Sequence, residues 1–415
     1  MRVLVLHQHY WPEIAATAQV LTDLCEDLVA GGHEVTVVTG QPSYRERATL
    51  ASDEVHEGVH VRRVTTYAPT ERTIARRLLH YGVYFGASLT EAVATRPSPD
   101  VALIMTTPPL LLGVSATLLR ALRGVPFVYS VQDLYPDVAI DLGVLRRGPL
   151  ATTIDVVATQ LYRRAAALVT LSPGMRDKLV AKGVPRERVA VVPNWADVGA
   201  LAASAAAGAT EYRDALGLGG RPVALYSGNV GLSQGLEHLV DAARHTKERA
   251  PELVWLVAGD GNARASIERR ARDAGLDNVR FLPPQPRARL GALLGTGDVG
   301  LVTMRRGVAD DMVPSKLYGI LAAGRPVVAS VESASEVARV VREERVGAVV
   351  PPEDPVALAE AVSRLVQDRA ALDELGARAR ALAESTYDRR VCTTRYREIL
   401  EAVVERRRGV VDLSF

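Results

Sequence analysis

VPSKLYGILAAGRPVVAS, residues Val313–Ser330, reads as one helix and one strand joined by a turn. Ser315 is a helix-capping residue type, the helical pattern runs Ser315–Ala323, and Val327–Ala329 is a short β-branched run suited to a buried strand. Just upstream, Val299–Val302 has the same short apolar character. Strand, helix and strand at this spacing make a unit whose strands lie parallel, because a parallel crossover needs a connection of helix length.

The same rhythm extends outward. From about Arg221, the strand candidates are Val223–Tyr226, Val254–Ala258, Val279–Phe281, Val299–Val302, Val327–Ala329 and Ala348–Val350. Helical patterns fall between them at Leu236–Arg249, Ala263–Ala274, Arg287–Leu294, Ser315–Ala323, Ser335–Glu343 and Pro355–Gln367. The first half repeats the design with strands Val3–Leu6, Val35–Val38, Val59–Val64, Val101–Met105, Phe127–Ser130, Leu168–Leu171 and Val189–Val192. Its helices include Glu13–Ala30, which stops at Gly31-Gly32, and Leu110–Arg123, which stops at Gly124. The expectation is an α/β protein of two doubly wound Rossmann-like domains whose sheets are covered on both faces and face a central cleft.

At 415 residues the chain exceeds one ordinary core, which agrees with two domains of roughly 200 residues each. The expected boundaries are 1–198, a strandless Ala- and Gly-rich linker over 199–220, a second domain over 221–388, and a closing helix in 389–415 that crosses back to the first domain. The net charge of +2 gives no overall reason to bind nucleic acid. Cys25 and Cys392 fit no metal or redox spacing and read as free buried thiols in a reducing compartment. The opening MRVLVLHQHYW has too short an apolar run for a signal-peptide core and reads as a mature cytosolic start. No stretch reaches the roughly 18 apolar residues of a membrane helix, so the reading is a soluble chain that at most lies on a membrane surface.

Ligands of parallel sheets bind outside the carboxyl ends of the strands. After the first strand of the second half, Ser227-Gly228-Asn229-Val230-Gly231-Leu232-Ser233-Gln234-Gly235 places three glycines within eight residues. Such a loop lets backbone amides approach an anion, or simply makes a tight strand–helix turn; both readings stay open here. It lacks the Gly-Lys-Ser/Thr ending of the nucleotide-hydrolase phosphate loop and does not match the dinucleotide fingerprint. Ala258-Gly259-Asp260-Gly261-Asn262 repeats the small-residue theme after the next strand. In Asp310-Asp311-Met312-Val313-Pro314-Ser315-Lys316, a lysine stands in the first turn of a helix. That position is mildly unfavourable unless an anion is present, and a diphosphate would be that anion; the other reading is a solvated surface lysine. Asp311 is a candidate acceptor for sugar hydroxyls, or a loop carboxylate.

These runs together resemble glycosyltransferase family 4, a retaining family of GT-B fold. In the second half the resemblance rests on YSGNVGLSQGLEHLVDA (Tyr226–Ala242), LVAGDG (Leu256–Gly261), NVRFLPPQPRARL (Asn278–Leu290) and DMVPSKLYGILAAGRPVVAS (Asp311–Ser330). The first half adds HQHYWPEIAATAQVLTDLCEDLVAGGHEVTVVTG (His7–Gly40), VYSVQDLYPD (Val128–Asp137) and VVPNWAD (Val191–Asp197). The likeness spans almost the whole chain and is strongest to the fucosamine- and colanic-acid-type transferases of bacterial surface polysaccharides. It implies a nucleoside-diphosphate sugar as donor, held by Gly228, Asn229, Gly259, Asp260, Gly261, Asp311, Ser315, Lys316 and Leu317, with Lys316, Asp133 and Asp311 catalytic. It implies neither cofactor nor catalytic metal: the histidines do not cluster at ligand spacing, and no Asp-x-Asp metal pair is recognised.

Two departures from the family pattern stand out. Relatives carry two glutamates eight positions apart where this chain has Asp311 and Gly319, so the expected ribose contact is missing. Relatives also often carry Arg and Lys in the first glycine-rich loop, where Asn229 and Gln234 stand here, which leaves Lys316 to neutralise the diphosphate.

On the acceptor side, Gln132-Asp133 ends a strand where many relatives have His-Asp. Asp133 either orients the acceptor hydroxyl or caps a turn. His7, His9, Tyr10 and Glu13 follow the first strand, with Glu13 read foremost as a helix opener. Glu71–Val93 mixes Arg72, Arg76 and Arg77 with Leu78, Leu79, Tyr81, Val83, Tyr84 and Phe85. That composition suits docking on an anionic membrane bearing a polyprenyl-linked acceptor, or an ordinary helix packed on the sheet. A sugar-nucleotide epimerase of the same fold and a non-catalytic two-lobed sugar-binding protein are the competing readings.

Overall fold

The computed structural model describes residues 1–13, 15–42, 50–64, 74–106, 110–141, 143–307 and 313–407. The chain divides into two compact units, Met1–Pro193 together with the segment from Cys392 on, and Asn194–Val391.

Among the described residues the first unit holds eight strands: β1 (Arg2–Leu6), β2 (Glu34–Thr39), β3 (Asp53–His56), β4 (Val59–Arg63), β5 (Val101–Met105), β6 (Phe127–Val131), β7 (Ala167–Thr170) and β8 (Val189–Val191). Their order across the sheet is β3-β4-β2-β1-β5-β6-β7-β8, all parallel except the β3–β4 pair. The interior strands are apolar on both faces, as helix-covered parallel strands must be; all five residues of β5 and of β6 are buried. Sequence patterning located every strand but β3, whose Asp-Glu-Val-His has no apolar run and sits at the sheet edge, held by a turn through Glu57 and Gly58, both at positive φ. The closing helix Arg389–Arg407 supplies Cys392, Tyr396, Ile399, Leu400 and Val403 as buried side chains. The Tyr396 hydroxyl shares a buried hydrogen bond of 2.8 Å with Ser130 Oγ on β6.

The second unit holds six described strands, β9 (Val223–Ser227), β10 (Val254–Ala258), β11 (Val279–Leu282), β12 (Val299–Thr303), β13 (Val327–Ser330) and β14 (Gly347–Val350). Their order is β11-β10-β9-β12-β13-β14 and every pairing is parallel. Successive residues of β9 alternate between two cores, Val223 and Leu225 in one and Ala224 and Tyr226 in the other, as the two-residue period of a strand requires. Helices begin where the caps predict: the Asp354 carboxylate accepts from the Ala357 amide at 2.9 Å, with Pro355 next in line.

The stretch read as a linker, 199–220, instead lies largely in the helix Val198–Ala215 of this second unit, capped by Asp197. It packs on the helix Leu290–Thr296 so closely that a β-carbon on Gly291 would lie 2.3 Å from the Leu201 carbonyl oxygen, and one on Gly208 would lie 2.6 Å from Ala292 Cβ. The Ala- and Gly-rich composition that suggests a flexible connector is therefore what close helix packing demands. Both cysteines are free and buried. No helix among the described residues is long and apolar enough to cross a membrane.

Candidate active site

In the second unit, the loops following β9, β10 and β12 lie at one edge of the sheet and are tied to one another. The Val230 amide donates to the Asp260 carbonyl (2.9 Å), the Ala263 amide to the Val230 carbonyl (3.0 Å), and the Arg305 amide to the Ser233 carbonyl (2.9 Å). Gly228 and Gly259 have φ of +144° and +147°, conformations that side-chain-bearing residues rarely adopt. A β-carbon on Gly259 would sit 1.8 Å from the Gly228 carbonyl oxygen, and one on Gly261 would sit 2.3 Å from that of Val230. Gly259 and Gly261 are thus required by the contact between two loops.

Gly228 serves a different contact. A β-carbon there would meet Lys316 Cε at 3.3 Å and Nζ at 3.5 Å. Lys316 opens the helix Lys316–Ala322 and turns its ammonium onto Tyr226, donating to the phenolic oxygen at 2.5 Å and lying 3.8 Å from the ring centroid. Tyr226 in turn donates to the Asn229 carbonyl at 2.6 Å, so the loop backbone, the phenol and the lysine form one chain. Burial alone lowers the Lys316 pKa to about 7, and no carboxylate among the described residues pairs with it.

The other predicted donor contacts divide by environment. Asn229 is exposed, and Asp260 is exposed with its carboxylate accepting from the Gly261 amide at 2.8 Å. Ser315 is exposed with a helical backbone and makes no side-chain capping bond, contrary to its reading as the cap. The Leu317 side chain is fully buried in the core and its amide donates to the Pro314 carbonyl (3.0 Å), so both its groups are engaged within the unit. Asp311 lies outside the described residues.

In the first unit, the loops after β1, β5 and β6 gather the remaining candidates. His7 is fully buried, its Nδ1 donates to the His9 carbonyl at 2.5 Å, and burial lowers its pKa to about 4, which keeps it neutral. His9 Nδ1 lies 2.5 Å from Glu13 Oε2, so Glu13, read mainly as a helix opener, is also in contact with His9. Gln8 donates to His80 at 2.5 Å, which ties this loop to the helix Ile74–Ala94. Tyr10 is buried against Cys25 and Thr22, within the core. At the end of β6, Gln132 donates to Ser130 Oγ at 3.0 Å, and its amide donates to Thr106 Oγ1 at 2.8 Å. Burial raises the Asp133 pKa, the direction expected of a carboxylate withdrawn from water without a cation beside it.

Sequence reasoning passed over three residues near this loop. Arg63, at the end of β4, has a fully buried side chain that pairs with Glu54 at 2.6 Å and donates to the Trp11 carbonyl at 2.9 Å. Trp11 stacks on His56 with ring centroids 4.0 Å apart and 15° between planes. The period-two pattern of Val59-His60-Val61-Arg62-Arg63 places Arg63 on the inward face with the two valines, and that was the available signal.

Comparison with known proteins follows this division. Residues 2–195 match the glycosyl transferase 4-like domain family, and residues 209–382 match glycosyl transferases group 1. Over 81% of this chain and 84% of the relative, the sequence is 33% identical to WcaI, a colanic acid biosynthesis glycosyl transferase of Escherichia coli K12. The chain belongs to glycosyltransferase family 4. The transferase is also 30% identical to the glycosyltransferase WbjE of Pseudomonas aeruginosa, over 69% of this chain and 71% of WbjE. Its fold is shared with sucrose-phosphate synthase from Thermosynechococcus elongatus (TM-score 0.77, 18% identity, 97% of this chain and 100% of that one). It is shared as well with WaaG, a glycosyltransferase involved in lipopolysaccharide biosynthesis (TM-score 0.68, 16% identity, 96% and 99% covered). The architecture is therefore GT-B.

Within this family-4 transferase, Gly319 stands on the helix behind Lys316, where an added β-carbon would begin 3.2 Å from Leu294 Cδ1. Gly319 offers no side-chain group to a ribose. In the first glycine-rich loop, Gln234 turns inward to accept from the Gly231 amide at 3.1 Å. Arg305 joins the same loop region, donating to the Leu232 carbonyl at 2.6 Å and pairing with Glu237. Among the described residues, no group of three or more His, Cys, Asp or Glu is placed to hold a metal ion.

Proposed function

We propose that this transferase moves a hexosyl or N-acetylhexosaminyl group, with retention at the anomeric carbon and without a metal, from a nucleoside-diphosphate sugar to a lipid-linked glycan acceptor. The relative that suggests surface polysaccharide or glycoconjugate synthesis is WcaI, named for colanic acid biosynthesis. The observation that carries the reading is Lys316: a half-buried lysine, its pKa lowered by desolvation, without a described carboxylate partner and set beside Gly228 at a sheet edge. A lysine held in that state gains most when a dianionic group arrives, because the anion replaces the lost hydration of the cation.

The chemistry asks for charge at the leaving group. As the bond from the anomeric carbon to the diphosphate breaks, negative charge grows on the terminal phosphate oxygen, and Lys316 stabilises it. The acceptor oxygen bonds to the anomeric carbon on the same face, and its proton passes to the departing phosphate. Asp133 orients the acceptor hydroxyl, with Gln132 and the His9–Glu13 pair completing that wall; Asp311 receives hydrogen bonds from the donor sugar.

A polyprenyl-linked acceptor would place the enzyme in the cytoplasm at the inner face of the cell membrane. In the helix Ile74–Ala94, Leu79 is 55% and Val83 37% exposed, which suits such a contact, whereas Tyr84 is buried. The Arg72 position and the side chains of Arg76, Arg77 and Leu78 lie outside those described.

Transfer of label from nucleotide sugars to a polyprenyl-linked extract, in wild type and Lys316→Ala, tests the reading. The substitution is expected to lower turnover by about 100-fold or more, the scale of removing one charge stabiliser, with the thermal transition retained and turnover insensitive to chelator. Near-wild-type turnover in the folded variant would remove Lys316 from this role.

A further inference from the structure

We propose that the first unit carries a second phosphate-binding site, on the sheet edge opposite its acceptor-side loops. Pro126 precedes β6, Ala166 precedes β7 and Arg188 precedes β8, so these residues stand at the amino ends of the strands. His7 and Gln132 follow the carboxyl ends of β1 and β6, one strand length away, or about 17 Å for five residues. The inference is independent of the donor site.

At that edge a cavity of about 350 Å³ is lined by Arg120, Arg188, Arg406 and Arg407. This volume falls in the lower part of the roughly 300–1,000 Å³ range of small-molecule sites. The arginines come from three separate elements: the helix Leu111–Arg123, the turn before β8, and the last turn of the closing helix. Arg120 donates to the Arg164 carbonyl and Arg407 to the Asp100 carbonyl (3.3 Å). Among the described residues, none of the four has a carboxylate at ion-pair distance. The floor is small and open, made by Gly124, Ala165 and Ala166. Arg188 is half-buried and Arg120, Arg406 and Arg407 are exposed, so all four are within reach of an anion arriving from solvent.

Four arginines lining one hollow give it a positive charge, and their fork geometry still offers unused donors. The ligand that satisfies both is compact, multiply charged and rich in acceptor oxygens, which describes a diphosphate or triphosphate group. A neutral glycan would leave the positive charge unanswered, and a single carboxylate would answer only one fork. The diphosphate can be a soluble one or the head of a polyprenyl lipid.

The test titrates inorganic pyrophosphate into the full chain by calorimetry. The variants are Lys316→Ala, Arg188→Gln/Arg406→Gln, and all three substitutions combined. The arginine pair is expected to remove one pyrophosphate site, weakening it at least tenfold, while Lys316→Ala keeps it; unchanged binding in the arginine variant overturns the proposal. If Lys316→Ala alone changes nothing, the donor-site reading fails and this one stands. Phenylglyoxal labelling of wild type gives a check that needs no variant: pyrophosphate should protect Arg188 and Arg406, and equal labelling with and without it also overturns the site. Sedimentation with phosphatidylcholine vesicles, with and without polyprenyl diphosphate, then separates the sources. Arginine-dependent vesicle binding assigns a lipid-borne diphosphate, and pyrophosphate binding alone a soluble one.

Discussion

Lys316 is withdrawn from water beside the glycine-rich loop after β9, and desolvation brings its pKa down to about 7. The sign of the consequence is fixed by that direction. A lysine whose folded pKa lies below its unfolded value weakens the fold when charged, fully so below pH 7, and the penalty fades as pH rises towards the unfolded value. A bound diphosphate reverses the effect by stabilising the cation. Binding of the donor's nucleoside diphosphate at about pH 8 should therefore take up a proton at Lys316. Affinity should rise as pH falls from about 8.5 to about 7, then level off. Calorimetry in buffers of different ionisation enthalpy reads this directly, and Lys316→Ala should lose the uptake. At this scale the sequence was informative where chemistry is local. A lysine in the first turn of a helix stands out by its misfit with the dipole. The same reading could not foresee Tyr226, because the phenol reaches Lys316 across 90 positions of sequence. Nor could it see that Leu317 is spent on the core and Tyr10 on the contact with Cys25, since burial of a side chain is decided by neighbours far away in the chain.

The loops after β9, β10 and β12 act as one element. The glycines at 228, 259 and 261 were legible as small residues of strand–helix turns, and two of them are there for the other loop. Gly259→Ala places a methyl group 1.8 Å from the Gly228 carbonyl oxygen at a φ of +147°. It should destabilise the second unit by about 2–4 kcal/mol and weaken donor binding by shifting Gly228 against Lys316. Thermal melts and donor titrations of the variant check both effects, and an unchanged melt would mean that the loops yield more easily than their packing suggests. Strand positions, and the helices that were read between them, followed from apolar periodicity almost throughout. The exceptions have physical causes: β3 is polar because it is an antiparallel edge, and the helix Val198–Ala215 is rich in Ala and Gly because it lies close against a neighbour.

At the scale of the whole molecule, each unit is a sheet of parallel strands, with one antiparallel edge strand in the first, and has its candidate groups at the carboxyl ends of the strands, where this architecture places ligands. Membership of family 4 was legible because several separate runs agree over most of the chain, and the 33% identity to WcaI bears it out. The nucleotide base and the sugar were not legible. Where relatives carry the second glutamate this chain has Gly319, which offers no side chain, and no other motif in the sequence names a base. The central claim is that the second unit binds a nucleoside-diphosphate sugar through Lys316. A calorimetric screen of UDP-, GDP- and dTDP-sugars against wild type and Lys316→Ala addresses it most directly. One of these donors should bind the wild type, and at least about tenfold more weakly to the variant. Failure of all of them to bind the folded wild type, or equal binding to both proteins, would contradict it.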